Sequence, residues 1–258
     1  MNPEIYFALI LTAVSLFVLL GTIRLLWPGR HVLALSFFAF ATACLLFSTL
    51  YWLAYDLLRP KTRMPFAANE ICEWALFLLL AQSLRTSVPA RIGQAKAAVP
   101  AALFAAANTA LWIAWSGEWV QDILTGLFLG WFLWVLIACM LAARVLSRIE
   151  WIGFGCAAAL LIAAQTMTLI TPASAKILNI ICAVLIFAVG AGLMLKALLA
   201  VIKRRSPGQG LCLSFAVYAW SEIAMYMSEG PVYIAALIMA ALGYLLMFWT
   251  IGKEVAAA

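Results

Sequence analysis

Along this chain, runs of about twenty residues with scarcely a charge follow one another from end to end. They occupy positions 5–27, 32–58, 66–84, 97–115, 119–143, 151–170, 177–202, 211–228 and 231–251. At ~1.5 Å rise per residue, roughly 20 apolar residues in a helix cross the ~30 Å hydrocarbon core of a bilayer. Between the runs stand turn formers and charges, among them Pro28-Gly29-Arg30, Arg59-Pro60-Lys61, Ser116-Gly117-Glu118, Thr171-Pro172, Pro207-Gly208 and Gly230-Pro231. A water-soluble fold is excluded, because 67% of the 258 residues are hydrophobic and only 10% charged. Soluble domains run at about half and a quarter.

The expected fold is therefore all-α, a polytopic transmembrane helix bundle of about nine spans. Eight remain if the run at 211–228, interrupted by Ser221 and Glu222, does not cross. The whole chain, 1–258, reads as one transmembrane domain with no soluble domain. Its first apolar run follows Glu4 rather than a cluster of positive charge, and is read as a retained helix and not a secretory signal.

Orientation follows from the basic residues. With the N-terminus outside and the C-terminus in the cytoplasm, the inner side holds Arg24, Arg30, Arg85, Arg91, Lys96, Arg144, Arg148, Lys196, Lys203, Arg204, Arg205 and Lys253. Only Arg59, Lys61, Arg63 and Lys176 fall outside, as the positive-inside rule requires. The same rule accounts for the net charge of +6, so no nucleic-acid partner is implied. A plasma or inner membrane location, with the lipid bilayer as the first partner, is the corresponding expectation.

Chemical signatures are sparse. The single histidine, His31, supports neither a zinc motif nor a Ser-His-Asp relay, and no glycine loop for phosphate is present, so neither cofactor nor metal is expected. Gly126 and Gly130 form a G-x-x-x-G, which, like Gly190 and Gly192, reads as a helix-packing face. The six cysteines lie in apolar stretches without a C-x-x-C pair and read as small hydrophobes. No known family is recognisable in these residues.

The informative residues are polar ones inside the runs. Most fall in the half of each helix assigned to the outside, including Asn108, Thr109, Gln121, Asp122, Thr125, Gln165, Thr168 and Asn179. A carboxylate at the centre of a bilayer costs at least about 2.5 kcal/mol, so intramembrane acids face the bundle interior and mark candidate sites. Asn69, Glu70 and Glu73 share one face of the third helix. Tyr218, Glu222 and Tyr226 recur every fourth residue, and Ser48, Tyr51 and Tyr55 form a third stripe ahead of Asp56. Convergence of these stripes predicts an acidic cavity open to the outside, with Glu70, Glu73 and Glu222 as its floor and walls and Asn69, Tyr226, Tyr218, Tyr55, Tyr51, Asp56, Gln165 and Asp122 around them. Local ion pairing with Arg59, Lys61 or Arg63 accounts for Asp56 and Glu70 without any ligand, whereas Glu73 has no basic residue at its depth.

Three functions fit this pattern. A carboxyl in low dielectric exchanges protons near neutral pH as a general rule, which suits binding or transport of a small cationic or proton-coupled solute. A receptor signalling through a cytoplasmic protein on the basic inner loops is the second, and self-association is compatible with either. An intramembrane enzyme acting on a lipid or lipid-linked substrate comes third, because no nucleophile motif accompanies the acids.

Overall fold

A computed structural model describes residues 3–27, 32–58, 68–88, 90, 94–171, 175–202, 207–226 and 231–257. Among them the regular structure is helical throughout: α1 (Pro3–Leu26), α2 (Val32–Leu58), α3 (Ala68–Ser87), α4 (Ala95–Ser116), α5 (Trp119–Ala142), α6 (Arg148–Ile170), α7 (Ala175–Ile202), α8 (Pro207–Tyr226) and α9 (Pro231–Ala257). The expected polytopic membrane helix bundle is what forms, with helix bounds within a few residues of the apolar runs. Seven helices are long and apolar enough to cross a bilayer among the described residues, and α3 and α8 are not among the seven.

Packing neighbours close a ring in the order α1, α2, α3, α5, α4, α6, α7, α8, α9 and back to α1. α8 is pressed inward from that ring, touching α5 and α3 as well as α7 and α9. Every residue from 211 to 224 is buried. That position explains its modest hydrophobicity: a helix surrounded by protein has no lipid to match, and its polar groups find partners on its neighbours. The lipid-facing surfaces lie elsewhere, on faces such as Leu9, Phe17 and Leu20 of α1 and Ile177, Val184 and Phe187 of α7, all exposed.

Helix ends sort into two sets. At one end the Ser83 hydroxyl donates to the Ala34 carbonyl, Gln209 Nε2 donates to the Ala143 carbonyl, Lys196 pairs with Glu150, and Gly252 faces Leu25. Arg24, Arg85, Lys96, Arg144, Arg148 and Lys196 lie in these segments, so this is the basic end. Opposite it, Gln121 donates to Glu70, Ser116 to Asp122, and Tyr226 to Glu73. This is the acidic end.

Lipid gives helices little hydrophobic reason to associate, so close packing and polar bonds must hold the ring. α5 lies tight on α4 because Gly126 and Gly130 lack side chains. A Cβ on Gly126 would collide with Thr109 Oγ1, and one on Gly130 would stand 2.9 Å from Ala105 Cβ. Gly190 meets Met239 of α9 in the same way, whereas Gly192 faces open space and serves no close approach. Polar cross-links add to this. Trp74 Nε1 donates to Thr125 Oγ1 at 2.9 Å, Trp220 Nε1 to the Ile186 carbonyl at 2.9 Å, and Ser214 and Thr250 share a bond of 3.1 Å. Each such bond contributes about 0.6 kcal/mol in a membrane bundle, so several together rival one well-packed side chain. In the core, Phe77 stacks on Phe132, and Phe38 on Tyr244.

The glycines give a direct test of this packing. A Cβ on Gly243 would stand 3.1 Å from the backbone nitrogen of Tyr218 and 3.3 Å from its Cα, atoms that cannot swing aside, while Gly153 faces open space. Gly243→Val is expected to lower the stability of the bundle by about 1–3 kcal/mol, and Gly153→Ala to leave it unchanged or raise it by about 0.5–1 kcal/mol. Thermal unfolding of the purified protein in detergent measures both.

Candidate functional site

Glu73 lies five residues into α3, about 7.5 Å along the helix from Ala68. Its carboxyl is shared between two neighbours. Ser48 of α2 donates to Oε1 at 3.1 Å, and Tyr226 of α8 donates to Oε2 at 2.7 Å. Both donors are neutral hydroxyls, and the one ion pair between described residues, Lys196 with Glu150, is at the opposite end. Glu222, one turn before Tyr226 on α8, is buried within electrostatic range of Glu73 and of the Tyr218 hydroxyl. The seam continues toward the basic end. Tyr218 sits edge-on to Tyr244 with ring centroids 5.1 Å apart, and Thr42 donates to the Tyr244 hydroxyl at 3.4 Å. Tyr218 is completely buried, and its hydroxyl makes no well-formed hydrogen bond.

Beside this seam, at the acidic end, a cavity of about 550 Å³ opens between α4, α6, α7, α8 and the start of α9. Its polar lining is made of amides and hydroxyls: Asn108 of α4, Gln165 and Thr168 of α6, Asn179 of α7 and Tyr226 of α8. Trp112 and Trp115 supply aromatic walls, and Trp112 stands 4.8 Å from Tyr226 between ring centroids. Tyr226 thus belongs to both features, with its ring on the cavity and its hydroxyl on Glu73.

Asn108 is the most telling residue of the lining. It is 1% exposed, and neither its Oδ1 nor its Nδ2 has a hydrogen-bond partner. The indole N–H of Trp112, one turn further along α4, is likewise buried and unpartnered. Leaving a buried polar group unsatisfied costs about 1–3 kcal/mol, and native structures contain few. Three such atoms, donors and an acceptor, cluster on the α4 wall of the cavity.

The sequence-predicted residues divide among several places. Glu73, Glu222, Tyr218 and Tyr226 come together as the stripes implied. Glu70 is buried on the α5 side, where Gln121 Nε2 donates to it at 3.2 Å, and Asp122 accepts from the Ser116 hydroxyl at 2.6 Å. Asn69 is buried next to Glu70 with its Oδ1 unpartnered. Tyr51 and Tyr55 stack on each other, with centroids 6.5 Å apart. Gln165 lines the cavity and donates to Cys182 Sγ at 3.8 Å. The Asp56 side chain, His31, and the basic residues Arg59, Lys61 and Arg63 expected to pair with the acids lie outside the described residues. None of the three glutamates is on the described cavity lining, and Glu73 instead stands behind Tyr226.

Asn108, Trp112, Thr168 and Asn179 complete the site that the carboxylate stripes did not delimit. The signal was present, since Asn108, Trp112 and Trp115 recur at i, i+4 and i+7 on one face of α4. Trp115, which on sequence alone belongs to an interfacial belt, stands at the cavity mouth. Trp74 and Trp220 face α5 and α7 through their indole bonds and take no part. Set against known protein families, curated proteins and solved structures, the chain matches none.

The two bonds to Glu73 differ in length and should differ in weight, because short bonds to carboxylates are the stronger ones. Tyr226→Phe is expected to destabilise the bundle by about 1–3 kcal/mol, and Ser48→Ala by about 1 kcal/mol or less. In the Glu73→Leu background both losses should shrink, which a double-mutant cycle on thermal unfolding measures.

Proposed function

We propose that this protein binds a small amine-bearing or cationic solute in the cavity at its acidic end, and that binding is coupled to protonation of Glu73. The observation that carries the reading is the buried Asn108 amide, on the cavity lining with neither polar atom satisfied, which shares that lining with Tyr226, the tyrosine that holds Glu73. Trp112, Trp115 and Tyr226 offer π-faces to an organic cation, and the Asn108 carbonyl oxygen offers an acceptor for its N–H. The negative charge needed to favour a cation forms one hydrogen bond behind, on Glu73, as its proton leaves. By the positive-inside rule the acidic end faces outward, so the solute arrives from outside the cell or inner membrane.

A second reading draws on the confinement of this cavity to the acidic end. Toward the basic end, the centre of the bundle between α3, α5 and α8 is packed with side chains such as Phe77, Leu80, Leu84, Phe132 and Phe215, all fully buried. A cavity that stops at such a core suits a receptor that reports to a cytoplasmic partner as well as it suits a carrier. Uptake of the bound amine into proteoliposomes separates the two, being present for a carrier and absent for a receptor.

A cation arriving beside a carboxyl favours its charged form, so binding should release protons. Calorimetric titration of the purified protein with a panel of small amines, in two buffers of different ionisation enthalpy, reads that release directly. Wild type is expected to bind with proton release and Glu73→Gln to bind without it. Asn108→Leu should weaken binding at least about tenfold, the loss of roughly one well-placed hydrogen bond. Equal heats in the two buffers for wild type would reject the coupling. Unchanged affinity in Asn108→Leu would reject the site.

A further inference from the structure

A second built site lies at the basic end, away from the cavity just described. An apolar slot of about 320 Å³ runs between α4, α5, α6 and α8. It exists because small residues line up there: Gly155 and Ala158 of α6 face Ala216 and Ala219 of α8. A Cβ on Gly155 would meet nothing within 4 Å. The slot reaches inward to Trp220 and Ile223, residues of the buried core helix, and Lys96 stands on its lining where α4 begins. A second hollow, of about 530 Å³, adjoins it and is lined by Arg144 and Arg148. Leu141 and Trp151 line both, so the hollow and the slot adjoin, an apolar interior beside a basic mouth.

The cations at that mouth are not placed for the sake of the helices. α5 ends in a paired-bond turn, with Val145 N–H on the Met140 carbonyl and Arg144 N–H on the Leu141 carbonyl. Its left-handed residue, normally glycine, is Arg144, the one described residue other than glycine with positive φ, at 50°. Arg148 is the first residue of α6, where the helix dipole disfavours a cation. Glu150, the acid nearest in sequence, is engaged by Lys196 and by the backbone N–H of Ser147. Among the described residues, none of Arg144, Arg148 and Lys96 makes an ion pair.

We infer that this feature is a binding site for an anionic phospholipid, with an acyl chain in the slot and the phosphate held by Arg144, Arg148 and Lys96. Charge complementarity selects the headgroup. The helix-lined slot selects a chain over a soluble phosphate, and Trp151 sits between the two parts as an interfacial anchor.

The test is native mass spectrometry of the delipidated full chain in detergent, titrated with dioleoylphosphatidylglycerol or dioleoylphosphatidylcholine. Wild type is expected to prefer the anionic lipid by about tenfold or more. Each basic residue near the phosphate should be worth about fivefold. Arg144→Asn with Arg148→Gln should therefore weaken phosphatidylglycerol binding by about 25-fold and leave phosphatidylcholine unchanged. Asparagine keeps the left-handed turn, and Lys96→Gln, which alters no turn, gives a single-site check expected to cost about fivefold. Gly155→Phe fills the slot and should weaken both lipids alike. Equal affinity for the two lipids in wild type overturns the site. So does a headgroup preference undiminished by loss of both arginines, and full binding by Gly155→Phe would show surface adsorption in place of a slot.

Discussion

A carboxyl group inside an apolar bundle must be solvated by the protein itself, and the arrangement around Glu73 follows from that requirement. Its two oxygens take one hydroxyl from α2 and one from α8, so a single side chain on α3 ties three helices in one register. Glu222 extends the same seam along α8, where burial on every side keeps lipid away. The most polar helices are consequently the innermost or the best covered, and the ring of more apolar helices forms around them. Without such a shell the cost of a carboxylate rises to about 2.5 kcal/mol or more as it nears the bilayer centre, more than several interhelical hydrogen bonds return.

That constraint also decides where a ligand would meet the acids. Tyr226 stands between Glu73 and the cavity, so a solute would sense the carboxylate through a phenol and not by direct contact. The amides of Asn108, Gln165 and Asn179 and the rings of Trp112 and Trp115 form the contacting surface. At the opposite end the polarity is reversed, with arginines and a lysine around a slot cut by small residues. The bundle therefore carries chemically distinct concave features toward its two ends, and Trp220 on the slot donates to the Ile186 carbonyl on the cavity lining.

Much of the fold was legible from residue order alone. Runs of apolar residues gave the helices seen among the described residues, since length and apolarity are what lipid imposes on a spanning segment. The roles of α3 and α8 were less legible. Interruptions such as Ser221 and Glu222 weaken an apolar run in the same way whether the helix fails to cross or is shielded by others, and only the packing distinguishes these. The stripe Tyr218–Glu222–Tyr226 implied contact near Glu73, because i, i+4 spacing fixes a helix face, whereas of Ser48, Tyr51 and Tyr55 only Ser48 bonds to it. Such stripes could not give the cavity, which depends on where α4, α6 and α7 splay apart. Asn108 therefore read as one more outer polar residue, although its buried, unpartnered amide is the strongest single mark of the site.

The central claim is that Glu73 changes its proton when the cavity fills. Difference infrared spectroscopy of the carboxyl stretching region, recorded with and without a bound organic ammonium ion, observes that event on the group itself. Loss of a protonated-carboxyl band on binding, present in wild type and absent in Glu73→Gln, is the result this account predicts. A bound state whose carboxyl bands match those of the free protein would contradict it, and would leave the Ser48–Glu73–Tyr226 cluster as a purely structural tie.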